Sequence, residues 1–272
     1  MVRAIAILIG AGIVACLAWA LFGTVYSAVT DPAPPTAVEE FHRHPKEVEL
    51  ASNGLLGTFN ERQLQRGLQV YKEVCSNCHS LKHVAFRDLT QLGYSAGQVK
   101  KFAADWAVKA KQFDPKSGDT TDRPNTPADY FPTVYYPGTG NPPDLSLITK
   151  ARHEGPAYVY SLLTGYQDQP AALLKHFPDA KVPDGLYYNP YFANLNLAMP
   201  PPLTQDGQVT YLDGTKSTVD QNAKDVTAFL TWAAEPNLPA RHGYGLAVLG
   251  FLLLFCVLSY GAYQNIWRDI KH

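Results

Sequence analysis

The chain has 272 residues, with 23 Lys and Arg against 24 Asp and Glu, for a formal net charge of −1. That balance excludes the basic surface a nucleic-acid partner would need, and the length suits one large domain or two small ones. The 17% of charged residues is unevenly spread, because Ala4 to Thr30 and Gly243 to Ile266 carry no charge at all.

Ala4 to Thr30 is an uncharged run of 27 residues. As a helix it would reach about 40 Å, more than the ~30 Å bilayer core. Arg3 is the only charge before it. The run exceeds the roughly 7–15 apolar residues of a signal peptide, and "VYSAVTD" offers only a poor cleavage site around Ser27-Ala28. We read residues 1–30 as an uncleaved transmembrane helix, with a cleaved signal as the alternative. Asp31 to Pro45, "DPAPPTAVEEFHRHP", is Pro-rich and mixed in charge, a linker or a segment draped on a surface.

Asn60 followed by Gln63 is a capping-box pattern that opens a helix. Leu64, Leu68, Tyr71 and Cys75 recur on one face of it, so the helix delivers Cys75 from its apolar side. Ser95 with Gln98 repeats the signal before a second amphipathic helix of Val99, Phe102, Ala103, Trp106 and Ala110. Phe113 to Pro143 reads as loop, with seven prolines. Pro156 and Gly165 bracket a short helix in "GPAYVYSLLTG". Val209 to Leu212 before Asp213-Gly214 could at most begin a hairpin, and no strand ladder is convincing. A last soluble helix runs from about Gln221 to Ala234, with Val226, Phe229, Leu230 and Ala233 on one face and Pro236 as its stop.

Gly243 to Ile266 follows within ten residues and is uncharged for 24. It would span about 36 Å as a helix. Arg241 precedes it, Tyr260, Tyr263 and Trp267 are aromatic anchors at its exit, and Arg268 and Lys271 follow in a short tail. We read residues 242–272 as a membrane anchor with a cytoplasmic tail, which leaves residues 31–241 on the exported side.

Only Cys75 and Cys78 lie close together, in "QVYKEVCSNCHSLKHVAF". Cys16 and Cys256 fall inside the apolar runs, where free thiols act as small hydrophobes. The spacing Cys75-x-x-Cys78-His79 is that of a c-type haem attachment site. The competing readings are chance, a redox dithiol or half a zinc site. Chance gives the pattern only about 0.002 times in a chain of this composition. A thioredoxin-like dithiol would follow a strand rather than a helix, and no second Cys pair exists to complete a zinc site. One covalently attached haem c follows, with His79 on one face of the iron. The other face takes Met or His in most electron carriers. Met199, in "NLNLAMPPPLTQDG", is the only methionine besides Met1, and Pro200 to Pro202 would hold its loop rigid. Core filler is the alternative role for a lone Met. Among the rivals His42, His44, His83, His153, His176 and His242, His83 is too near the proximal side, while His42 and His44 read as solvated. Met199 therefore closes the iron, which argues for an electron carrier. No acid/base or nucleophile constellation suggests an active site elsewhere. Glu39, Glu40, Glu47, Glu49, Asp206, Asp213 and Asp220 read as a solvated acidic surface able to attract a basic redox partner.

From about Gly57 onwards the chain resembles the cytochrome c1 family of alphaproteobacterial type, the haem-c subunit of the cytochrome bc1 complex (ubiquinol–cytochrome c reductase). The resemblance is carried by "LQRGLQVYKEVCSNCHSL", "PPDLSLITKARHEGPAYVYSLLTGY", "GLYYNPYFANLNLAMPPPL", "DGQVTYLDGT" and "AKDVTAFLTWAAEP" in that order. It implies a mainly α, class I cytochrome-c-like haem domain enlarged by long loop insertions, with one C-terminal transmembrane helix beside the N-terminal apolar helix. It implies that Cys75 and Cys78 bind the haem vinyl carbons, that His79 and Met199 are the axial ligands, that Pro143 packs near the haem, and that Arg152 and Tyr158 contact the propionates. It further implies a periplasmic haem domain at the cell inner membrane, in a dimeric complex with cytochrome b and a Rieske iron–sulfur subunit. There the chain relays one electron at a time to a cytochrome c, with no catalytic site of its own. The chain departs from the family in reading "YYPGTGN" where A-N-x-G-A is usual. It also carries Gln167 where some relatives have a cysteine, so no disulfide is expected there. Other readings are an anchored cytochrome c feeding a terminal oxidase, a haem gas sensor or peroxidase-like enzyme with a displaceable sixth ligand, and a purely structural anchored protein.

Overall fold

The computed structural model describes residues 2–32, 34–138 and 140–269. Eight α-helices are joined by long loops and two small β-hairpins, so the described residues are mainly helical. The two long apolar runs are continuous helices, α1 (Val2–Thr30) and α8 (Leu238–Trp267), with mean hydropathies of 2.6 and 2.2 and no buried residue within their apolar stretches. Helices so apolar and so uncovered associate with a membrane. The anchor helix starts at Leu238, within the stretch read as exported, and Lys271 of the proposed tail lies outside the described residues.

Between them, the draped segment makes one short turn, α2 (Ala37–Phe41), closed by a reciprocal capping box of Thr36 and Glu39. Its backbone is pinned to the domain by Arg43 N to Pro190 O at 2.8 Å and Lys46 N to Ser161 Oγ at 2.7 Å. α3 (Glu61–Glu73) starts at Asn60, whose side chain accepts from Gln63 N at 3.1 Å. It buries Leu64, Leu68 and Tyr71, as the periodicity requires. The helix stops before Cys75, however. Val74 closes it, and the chain tightens into a 3-10 turn over Cys75–Asn77.

α4 (Ala96–Asp105) has both halves of the Ser95–Gln98 box. It ends earlier than its apolar pattern suggests, because Trp106 turns extended to bury its ring. Ala110 belongs instead to β1 (Ala110–Phe113), paired antiparallel with β2 (Thr120–Arg123) in a hairpin that the proline count concealed. α5 (Gly155–Leu163) starts one residue before the predicted Pro156 and ends two before Gly165, and α6 (Ala171–His176) follows. β3 (Tyr187–Tyr188) pairs with β4 (Asn196–Leu197). Val209–Leu212 forms no strand. Val209 and Tyr211 are buried there as irregular chain.

α7 (Val219–Ala234) is the central element, with α3 crossing one side and α5 packed on another. The α3–α7 crossing is close because Gly67 lacks a side chain. A Cβ there would lie 2.1 Å from Asp225 O and 2.6 Å from Phe229 Cβ. Beside the crossing, Arg66 Nε and Nη2 donate to the fully buried Asp225 carboxylate at 2.8 and 3.2 Å, and Nη1 to Asp213 at 2.8 Å. The core around it is aromatic. Tyr71 meets Trp106, Phe131 and Phe229 with ring centroids 5.8–6.3 Å apart, and Phe86 lies 4.4 Å from Phe131. Edge and offset ring contacts of this kind add to the area they bury.

Candidate haem site

In the turn after α3, the amides of Cys78 and His79 both point at Cys75 O, at 3.1 and 2.9 Å. One turn therefore carries both thiols and the imidazole. Neither thiol is in a disulfide. Cys75 packs against the main core, and burial beside Cys78 pushes its thiol up to about 12.

His79 is held from two directions. The Tyr71 hydroxyl donates to His79 O at 3.0 Å, and His79 Nδ1 lies 2.8 Å from Pro143 O. A carbonyl can only accept, so Nδ1 carries the proton and Nε2 keeps its lone pair, which is the tautomer a metal requires. Burial lowers the His79 pKa and outweighs the opposing pull of the Pro143 carbonyl and Asp144, favouring the neutral ring. Three more bonds lock this pair of segments. Leu145 N donates to Ser80 O at 2.9 Å, Lys82 N to Asp144 Oδ2 at 3.0 Å, and His83 N to Ser146 Oγ at 3.1 Å. The proline-rich stretch thus acts as a rail along the attachment turn.

Arg152 and Tyr158 meet as well. The Arg152 guanidinium lies close enough to the Tyr158 phenol at the entrance to α5 to act on its ionisation, while its Nη1 donates to Ala151 O at 3.0 Å. Burial raises the Tyr158 pKa and Arg152 opposes the rise. An exposed guanidinium beside a half-buried phenol is a suitable pair for a carboxylate group. Met199 is half-buried, one residue past Ala198 at the end of β4, and its carbonyl accepts from the Tyr166 hydroxyl at 3.0 Å. Gly140, at φ +97°, faces this segment, since a Cβ on it would lie 3.8 Å from Ala198 Cβ. Gly140 of the atypical stretch thus brings the chain that leads into Pro143 beside the segment preceding Met199.

The rival histidines are engaged or solvent-facing. His42, His44, His83 and His153 are exposed, His176 pairs with Glu40 at 2.8 Å, and His242 Nδ1 lies 3.3 Å from Gly57 O. Several residues read as free acidic surface have internal partners: Glu39 caps α2, Asp213 pairs with Arg66, and Asp220 accepts from Tyr160 at 2.5 Å and pairs with Lys224 at 2.8 Å. Sequence reasoning missed Tyr71, Asp144, Ser146 and Tyr166 as parts of the site. Each lies in or beside a motif already singled out, but their partners are 8, 62, 63 and 33 residues away along the chain, beyond local patterning.

A sequence model of the Cytochrome C1 family matches residues 50–270. The chain belongs to the cytochrome c1 family. Cytochrome c1 of Rhodospirillum rubrum is 44% identical over 241 residues, covering 80% of this chain and 86% of that protein. Cytochrome c1 1, heme protein, mitochondrial, of Arabidopsis thaliana is 38% identical over 279 residues, covering 99% and 83%. The protein named cytochrome b/c1 of Bradyrhizobium diazoefficiens is 44% identical over 239 residues, and the match spans 34% of that longer protein. Cytochrome c1 proteins carry covalently bound haem c, and Cys75, Cys78 and His79 have the spacing for it. Electron transfer from a membrane-associated domain is the role that fits both the family and the two apolar helices.

Proposed function

We propose that this chain is the haem-bearing relay of a ubiquinol–cytochrome c reductase, accepting one electron at a time from a Rieske iron–sulfur subunit and passing it to a cytochrome c. Quinol oxidation belongs in this reading to a cytochrome b partner, and the assembled complex is dimeric. Residues 31–241 form the haem domain on the periplasmic face of the inner membrane, between the apolar segment 1–30 and the anchor 242–272. Arg3 in the first turn of α1 and Arg268 just after α8 then both sit on the cytoplasmic side, as the positive-inside rule prefers.

Bound haem c supplies a one-electron iron couple. The chain's residues do the rest. The Cys75 and Cys78 thiols would hold the group covalently, each as a thioether through one of its two vinyl substituents. His79 offers Nε2 to the iron because Pro143 O holds Nδ1. Met199 would supply a neutral thioether as the second protein ligand, a donor that favours the ferrous state and a high potential. Arg152 and Tyr158 would bind its propionate carboxylates, and Pro143 would pack beside it. The observation that carries the reading is the 2.8 Å His79–Pro143 contact beside two unpaired thiols.

The test is a potentiometric titration of the haem absorbance in detergent-solubilised membranes, with the co-purifying subunits identified. One positive-potential wave with a Rieske protein and cytochrome b in the same peak is expected. A wave near or below zero, or co-purification with a copper oxidase instead, would refute the assignment.

A further inference from the structure

The Met199 loop is anchored at both ends, while its middle, Met199 to Pro202, is half-buried or exposed. On the α5 side, Gly165 admits no side chain: a Cβ would lie 2.4 Å from the Tyr191 ring and 2.6 Å from Ser161 O. Asn189 ties the same corner, donating to Leu162 O at 2.8 Å and accepting from Tyr191 N at 3.1 Å. The direction in which Tyr166 leaves the helix is therefore fixed. On the other side, Leu195 adopts φ +67° before β4, and Gln208 Nε2 donates to Pro202 O at 2.8 Å beyond Met199. Pro200 to Pro202 contribute no backbone donors between these points. A cavity of about 570 Å³ opens beside the loop, lined by Tyr166, Tyr187, Pro201 and Leu203 among others. That open side leaves the loop room to swing, and the hydroxyl of Tyr166 on Met199 O ties the loop down at Met199 itself.

We propose that Tyr166 is a positioning residue for the iron site, its hydroxyl holding the Met199 carbonyl so that the thioether remains in place as the sixth ligand. The proposal rests on Met199 being that ligand. One hydrogen bond contributes up to ~1.4 kcal/mol, so its loss raises the population with Met199 swung aside by up to about tenfold.

The experiment uses the full-length, haem-loaded protein as wild type, Tyr166→Phe, Tyr187→Phe and Met199→Leu. Haem content is checked first, then the weak red sulfur-to-iron charge-transfer band and carbon monoxide binding to the reduced form. Tyr166→Phe should hold a full complement of haem while its carbon-monoxide-reactive fraction rises about tenfold. Tyr187→Phe, on the same cavity, should match wild type, and Met199→Leu should lose the band outright. A Tyr166→Phe protein identical to wild type overturns the positioning role, as does a Tyr187→Phe protein equally disturbed. A band that survives in Met199→Leu removes Met199 as ligand, and the positioning role with it. Methionine labelled with carbon-13 at its carbonyl marks only Met1 and Met199. Should Tyr166→Phe take up no haem, an infrared band of the wild-type Met199 carbonyl at the hydrogen-bonded frequency supports the proposal, and one at the free frequency overturns it.

Discussion

Gly67→Ala sets two physical arguments against each other with opposite signs. Gly67 lies inside α3, where helix propensity alone favours alanine by about 1 kcal/mol. The crossing with α7 says otherwise, since the new Cβ would lie 2.1 Å from Asp225 O and 2.6 Å from Phe229 Cβ. Ordinary carbon contacts need about 3.5 Å, so α7 must retreat by roughly 1 Å or more. The obstructing atom is backbone oxygen and cannot rotate away. Overpacking of one methyl costs about 1–3 kcal/mol, and the retreat also stretches the 2.8 Å Arg66–Asp225 bond. A clash with backbone at 2.1 Å belongs at the top of that range, and the stretched bond adds up to about 1 kcal/mol, so about 3–4 kcal/mol of strain against about 1 kcal/mol of propensity leaves a net loss of about 2–3 kcal/mol. Guanidinium chloride unfolding of the haem-loaded protein, followed by tryptophan fluorescence, reads this directly. Trp232 is 2% exposed and packs on Phe229 with centroids 5.6 Å apart, next to the crossing. With a slope of about 4 kcal/mol/M, the midpoint should fall by about 0.5–0.8 M. A midpoint that stays or rises would refute the close crossing.

Arg66→Met leaves the Asp225 carboxylate buried without its cation and should cost about 3–5 kcal/mol, most of it recovered in the double variant Arg66→Met/Asp225→Leu; thermal unfolding midpoints test both. The Thr215 amide and then the Arg66 guanidinium hold Asp213 down at about 2. Its unfolded carboxyl titrates near 3.9, so this contribution is complete above about pH 4 and is lost as the pH falls towards about 2. Unfolding midpoints between pH 6 and 2 should therefore drop more steeply in wild type than in Asp213→Asn. Cys75→Ala should leave a single thioether at Cys78 and one vinyl group conjugated with the ring; the reduced absorption band then moves to longer wavelength, and an unmoved band would refute attachment through Cys75.

Local rules were legible where the physics is local. The Ser95–Gln98 box joins residues three apart, and Pro156 and Gly165 each mark an end of α5 by their own backbone chemistry; each signal is realised to within a residue or two. The misreadings share one cause. Trp106 and Ala110 continue the apolar repeat of α4, but burial of the Trp106 ring against Phe86 and Phe131 turns the backbone out of the helix. Cys75 likewise falls on the α3 stripe and yet sits in a tighter turn. Periodicity records which side chains face inward and says little about where the hydrogen-bond pattern changes. The attachment turn was visible because its chemistry dictates spacing. Its supports were not, since Tyr71, Asp144 and Tyr166 act across the fold through single hydroxyl or carboxylate oxygens.

The supports explain why so polar a rail runs beside a site that must stay apolar. Each of its polar groups spends its hydrogen-bonding capacity on backbone: Asp144 on Lys82 N and Ser146 N, Ser146 on His83 N, Ser80 on Val134 N. Buried or half-buried donors satisfied in this way cost little, and they fix the chain without adding side chains to the space beside His79. The same economy appears at the membrane end. Only Glu235, Pro236 and Asn237 separate α7 from α8, and Glu235 binds both Lys150, at 3.1 Å, and Arg241. Exposed ion pairs contribute less than about 1 kcal/mol each, so the shortness of the connection does most of the orienting and the pairs refine it. α7 also carries the crossing that seats α3, and α3 ends where the attachment turn begins. The haem motif is therefore linked to the anchor through two packed helices rather than through a loop. That stiffness suits a relay whose rate falls steeply with distance to its partners.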